Sequence, residues 1–183
     1  MRVMKLALIA SAALLFGSAS ASAITVKKRT EAPGLPPQIW EKAGAFCAIK
    51  EWHPLVADCV EAKEGDVTYR ILTLKDGGKI KEKLTAKEDL SYSYEIIESP
   101  LPVQNYKAKL WFEVDDEPDR SVLLWQAEFD PKGASEDDAK KLISDIFAAG
   151  LKGIKQQAIA ASDARDSAAG KTPAPQQDDN KDD

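Results

Sequence analysis

The sequence predicts an α+β domain: one strand, two short helices, six more strands in an antiparallel meander, and a long C-terminal helix. Three observations carry this. From Cys59 to Asp130, short runs rich in β-branched and aromatic residues are separated by Gly, Pro and Asp turns, as expected where sequential strands pair. After Ser135, Ala139, Leu142, Ile143, Ile146, Phe147, Gly150, Leu151, Ile154 and Ala158 fall at helical spacing and form one apolar stripe. Between these parts and the first strand stand Pro33-Gly34 and Pro36-Pro37, which break any regular element.

Taken in order, Ile24 to Glu31 alternates well enough for a first strand. Gln38 to Phe46 reads as a short helix with Ile39, Trp40, Ala43 and Phe46 on one side, and Trp52 to Ala57 as a second helical or turn segment, with Pro54 where a helix would begin. Strands follow at Cys59 to Lys63, Val67 to Leu74, Lys79 to Ala86, Ser91 to Glu98, Val103 to Val114 and Arg120 to Asp130. Ser135, with Asp138 three residues on, resembles a capping box and starts the long helix. Beyond about Ala161 the chain has Pro, Gly, Ala and charge without periodicity, so residues 162–183 read as a disordered acidic tail. One domain spans residues 24–161. A single long helix cannot fill the concave face of a strongly curved sheet, so an enclosed space is expected between the two.

Residues 1–23 carry Arg2 and Lys5, the apolar run Leu6 to Phe16, and small residues ending in Ala21-Ser22-Ala23. This is the pattern of a cleaved secretory signal. The apolar run is short of the roughly 20 residues a permanent span requires. The mature chain is then expected to start at Ile24 and to be periplasmic or secreted, with no stable membrane insertion. Losing Arg2 and Lys5 takes the formal net charge from −5 to −7. Nucleic acids and anionic membrane surfaces select clustered Lys and Arg, so neither is an expected partner.

Phe46 to Cys59 (FCAIKEWHPLVADC) holds both cysteines and the only histidine. Two cysteines twelve apart in an exported chain point to a structural disulfide, Cys47 to Cys59, with two buried thiols as the alternative. The spacing fits neither a C-x-x-C redox pair nor a zinc set. One histidine excludes a multi-histidine metal site, both methionines lie in the signal, and no Gly-rich phosphate loop is present. No metal or cofactor is therefore expected, and no residue is assigned a catalytic role.

The order of elements, the segment WHPLVADC, the run KEKL followed by SYSYEIIESPLPVQNYKAKL, and WQAEFDPKG before the last helix resemble the START-like, polyketide cyclase/dehydrase (SRPBCC) superfamily over about Thr25 to Ile159. The likeness includes its secreted, MxaD-like bacterial branch. The resemblance implies the helix-grip fold: a strongly curved seven-stranded antiparallel sheet around a long C-terminal helix, with two short helices after the first strand. It implies a lipid-carrier, receptor or cyclase type of site. The likeness to abscisic acid receptors places a ligand-facing carboxylate at Glu82 and ligand-facing aromatics at Tyr94 and Tyr106. The loops Lys75 to Gly78 and Pro100 to Val103 stand where the receptors have gate and latch, without the receptors' gate sequence or latch histidine.

Alternation tests Glu82 independently. Ile80, Glu82, Leu84 and Ala86 share one face of their strand, leaving Glu82 the lone acid on an apolar face. It is either a polar anchor in a pocket or a structural group paired with another side chain. Tyr92 and Tyr94 share a face, as do Tyr106, Leu110 and Phe112, and Leu123, Trp125 and Phe129. Trp52-His53 is expected at the mouth of the cavity, half wet. The function expected is binding of a small apolar or amphipathic molecule, with Glu82 and Tyr106 orienting its polar end and Tyr94, Trp111 or Trp125 supplying surface. Two alternatives remain: an accessory protein for a periplasmic dehydrogenase or cytochrome of the methanol-oxidation type, and a cyclase or dehydratase-like enzyme using His53 with Glu82 and Tyr106.

Overall fold

The computed structural model describes residues 23–170. The expected signal peptide, but for its last residue, and the end of the expected acidic tail lie outside the described residues. The chain runs β1 (Ile24–Pro33), α1 (Pro36–Ala43), α2 (Ile49–Trp52), β2 (Val56–Glu64), β3 (Val67–Leu74), β4 (Lys79–Glu88), β5 (Ser91–Glu98), β6 (Val103–Val114), β7 (Arg120–Pro131) and α3 (Glu136–Ala168). All strand pairs are antiparallel, and the sheet order is β1-β7-β6-β5-β4-β3-β2. This is the helix-grip arrangement.

Because β1 and β2 are neighbours in sequence but opposite edges of the sheet, α1 and α2 must carry the chain from one edge to the other. The register shifts in β4–β5 at Lys81/Glu82 and Leu84/Ala86, and in β6–β7 at Gln104/Lys107, where Asn105 takes φ 53°. Such bulges bend and twist the strands that carry them, which curves the sheet toward α3.

The long helix starts as its sequence demands. The Ser135 hydroxyl accepts the Asp138 amide at 3.1 Å, and Glu136, Asp137 and Asp138 place negative charge where the helix dipole is positive. Ala139, Ile143, Phe147, Gly150, Leu151, Ile154 and Ala158 are buried, whereas Leu142 stays exposed at the border of the stripe. The helix does not stop near Ala161 but continues to Ala168, with Gly170 at φ 71° beyond it. From Ile154 to Ala168 the chain lacks Gly and Pro and is rich in Ala, so an already nucleated helix propagates through residues that pack against little.

The short helices also begin and end elsewhere than expected. Pro36 sits in the first turn of α1, where its missing N–H costs nothing, and Gln38 Oε1 accepts the Leu35 amide. Pro54 follows the second helix instead of opening it: its ring holds His53 extended (φ −93°, ψ 116°), which ends α2 at Trp52 and frees Val56 and Ala57 to start β2.

Candidate functional site

The buried face of the sheet, to which β1 to β7 all contribute core residues, is covered by α1, α2 and α3. At its centre lies a residue to which the sequence reading gave no role. Arg70 of β3 is fully buried, and the strand register sets it directly opposite Glu82 of β4. Its Nε donates to Glu82 Oε2, and its Nη1 donates to the Phe46 carbonyl and, at 3.4 Å, to the Tyr92 hydroxyl. The guanidinium lies over the Phe46 ring at 4.2 Å and near Tyr94 and Tyr92 at 5.0 and 5.5 Å. Glu82 is thus the paired group, and its partner is the residue that the β3–β4 register sets opposite it.

Burial works against charge on both members of this pair. It pushes the Glu82 carboxyl up against the pull of the guanidinium. For Arg70 the burial penalty is more than offset by Glu82, Tyr92 and Tyr94, so the guanidinium keeps its proton. Its Nη2 has no hydrogen-bond partner, nor has Trp52 Nε1. Both of these buried donors therefore stand without a hydrogen-bond acceptor.

A second hydrogen-bonded group lies beside this pair. Trp125 Nε1 donates to the Tyr94 hydroxyl at 3.0 Å, and Tyr94 and Tyr106 bring their hydroxyls to 3.5 Å. Burial raises the pKa of Tyr94 and Tyr106 well above the ordinary tyrosine value. Both hydroxyls stay protonated and can donate. Toward α3, Trp125 stacks on Phe147 at 4.3 Å and meets Trp52 edge-on at 5.6 Å. Aromatic side chains thus occupy the space over β7 in which an opening was expected.

Trp52 and His53 are buried, not half wet. Room for them exists because α3 carries glycine beneath them: a Cβ at Gly153 would come within 1.8 Å of the Trp52 carbonyl oxygen, and one at Gly150 within 2.7 Å of His53 Cδ2. The His53 Nδ1 accepts the Leu55 amide at 3.2 Å, so Nε2 carries the hydrogen and donates to the Ile146 carbonyl at 3.0 Å. Burial, reinforced by Arg70 and only partly opposed by that hydrogen bond, lowers its pKa from 6.5 to about 4. With both nitrogens occupied, His53 clamps α2 to α3.

The disulfide Cys47–Cys59 is formed and ties the loop between α1 and α2 to β2. Trp111 does not join the site. It points to the outer face of the sheet, where its Nε1 donates to Glu113 at 2.6 Å and Lys27 lies over its ring at 5.2 Å. Alternation along β6 requires this, since Leu110 and Phe112 on either side are buried. A shallow groove of about 420 Å³ lies beside Trp111 on that outer face. Among the described residues, no group of three or more His, Cys, Asp or Glu side chains could hold a metal ion. No helix there is long and apolar enough to cross a membrane.

Residues 23–158 match the family model described as polyketide cyclase/dehydrase and lipid transport. The chain belongs to this family. No curated protein matches it. Among solved structures it is similar to XoxI from Bacillus cereus, with 28% identity and a TM-score of 0.71 over 75% of this chain and 97% of the other. It is also similar to an aromatase/cyclase from a Streptomyces species, with 14% identity and a TM-score of 0.63 over 82% of this chain and 99% of the other. A START superfamily protein from Mycobacterium smegmatis shares 15% identity and a TM-score of 0.62 over 75% and 98% of the two chains. The last two likenesses concern the fold alone.

Proposed function

We propose that this family member is a periplasmic binding protein that holds a small amphipathic molecule between the sheet and α3. The observation that carries the reading is the free Nη2 of Arg70, a fully buried charged donor with no acceptor, set among aromatic rings. A donor in that position is matched by an acceptor oxygen such as a carboxylate or carbonyl. Tyr94 and Tyr106 offer further hydroxyl donors beside it, while Trp52 and Trp125 offer apolar surface. Glu82 orients Arg70 instead of touching the ligand, and His53 holds the cap. Family membership supports this class of ligand, and the formed disulfide supports an exported chain.

The packing of Trp125 on Phe147 favours a second reading. If that stack does not open, the protein works through its surface, as an accessory to a periplasmic dehydrogenase or cytochrome. A cyclase-like enzyme draws less support, because His53 has both nitrogens engaged and the tyrosines hold their protons too tightly to act as bases. Native mass spectrometry of the mature protein taken from its own cells separates the first two readings. The binding reading predicts a retained small molecule; bare polypeptide that also takes up no medium-chain carboxylate such as decanoate supports the accessory role.

A further inference from the structure

The cap that covers Arg70 packs into the core through Phe46, Ile49 and Trp52, and of the polar and covalent ties that hold it one is chemically reversible. Segment 44–53 lies between Gly44, covered by the Trp40 ring, and Pro54. It is tied to α3 by His53 Nε2 on the Ile146 carbonyl and by Gln157 Nε2 on the Glu51 carbonyl. It is tied to the sheet by the Phe46 carbonyl and ring on Arg70, and covalently by Cys47 to Cys59. Cys47 immediately follows Phe46, so the covalent tie stands next to the group that occupies Arg70 Nη1. Cys47 is half-buried, whereas Cys59 is buried.

We infer that the Cys47–Cys59 disulfide is a redox latch on the binding site: reduction releases segment 44–53 from the sheet and turns Arg70 toward ligand. When the Phe46 carbonyl leaves, one N–H of Nη1 is freed while Tyr92 keeps its contact with that nitrogen, and the guanidinium loses its aromatic cover on that side. The same movement therefore opens the way in and adds an Nη1 N–H to the unpartnered Nη2 as donors for a ligand. The ion pair with Glu82 stays, because both residues belong to the β3–β4 hairpin. The partner in the reaction is a protein dithiol. Its thiolate attacks the Cys47 sulfur, breaks the S–S bond and releases Cys59 as thiolate, which takes up a proton. Its second thiol then displaces Cys47, which also takes up a proton. The donor leaves as a disulfide, and two electrons and two protons have passed to the pair.

The latch rests on the binding reading for its purpose but is tested without it. Hydrogen exchange, followed by mass spectrometry on the whole mature protein, is compared before and after dithiothreitol. Exchange in segment 44–53 is expected to rise about tenfold, with β5 to β7 and α3 unchanged. The Cys47→Ser/Cys59→Ser variant should behave as the reduced form whether or not dithiothreitol is present. Unchanged exchange in the segment overturns the latch. So does a rise across the whole domain, which makes the bridge a staple of the fold. The anionic probe 1-anilinonaphthalene-8-sulfonate should then enter the reduced protein about tenfold faster, and equal entry rates with a released cap contradict gating. No uptake by either form, with the cap released as expected, faults the binding reading and leaves the latch standing. Linkage supplies a further check: a probe bound tenfold more tightly by the reduced form raises the reduction potential of the pair by about 30 mV.

Discussion

At the scale of single residues, the centre of the molecule is an ion pair of which only one member was singled out in the sequence. Glu82 stood out as an acid on an apolar strand face, whereas Arg70 lies in a strand whose alternation is weaker, with Tyr69, Ile71 and Thr73 on the opposite face. A charge this deep demands its partner. Glu82→Gln is expected to destabilise the fold by about 3–5 kcal/mol by leaving Arg70 uncompensated, and Arg70→Met combined with Glu82→Leu should recover most of that loss. Denaturant titration of the single and double variants checks both expectations; an additive double variant would show that the two residues do not act as a pair.

His53 carries the pH dependence at this scale. Its folded pKa, about 4, lies below the ordinary 6.5, so the unfolded chain binds the extra proton first. The stability His53 contributes is complete above pH 6.5 and is lost as the pH falls from there toward 4, to a total of about 3 kcal/mol over the window. Unfolding midpoints measured between pH 7 and 4 should show this slope, and His53→Asn should remove it. The rarity of His53 in the sequence suggested chemistry, but the structure gives it two backbone partners and a clamping role.

At the scale of elements, strand existence and order were readable from alternation and turn residues, and β3, β5 and β6 begin and end where the pattern changes. What pattern reading misplaced were the short helices, since four residues cannot show a period and the effect of Pro54 depends on which side of it the helix lies. The seating of α2 on α3 depends on Gly150 and Gly153, whose meaning appears only once the two elements are in contact. Gly153→Ala would ordinarily stabilise a helix by about 1 kcal/mol. Here the added Cβ collides with the Trp52 carbonyl, and a net loss of about 2 kcal/mol is expected in thermal or chemical unfolding. A stabilised variant would show that α2 does not sit where Trp52 meets α3.

At the scale of the whole molecule, the sheet order explains why the cap exists: sequential strands β1 and β2 lie at opposite edges, and the connection between them has to cross the open side of the grip. That much follows from topology. The filling of the interior does not, because a period of two says which residues face inward and nothing about whether Trp125 and Phe147 stack or stand apart. It is equally why Trp111, an aromatic of the same strand as Tyr106, belongs to the outer face.

The four tryptophan indoles mark these regions separately, which makes them the most direct test of an interior centred on Arg70. In a nitrogen-15 NMR titration of the mature, dithiothreitol-treated protein with decanoate, the indole signals of Trp52 and Trp125 and the guanidinium signal of Arg70 should shift saturably, while that of Trp111 stays in place. Shifts confined to Trp111, or no saturable shift at any of these groups, would contradict a ligand held between the sheet and the C-terminal helix.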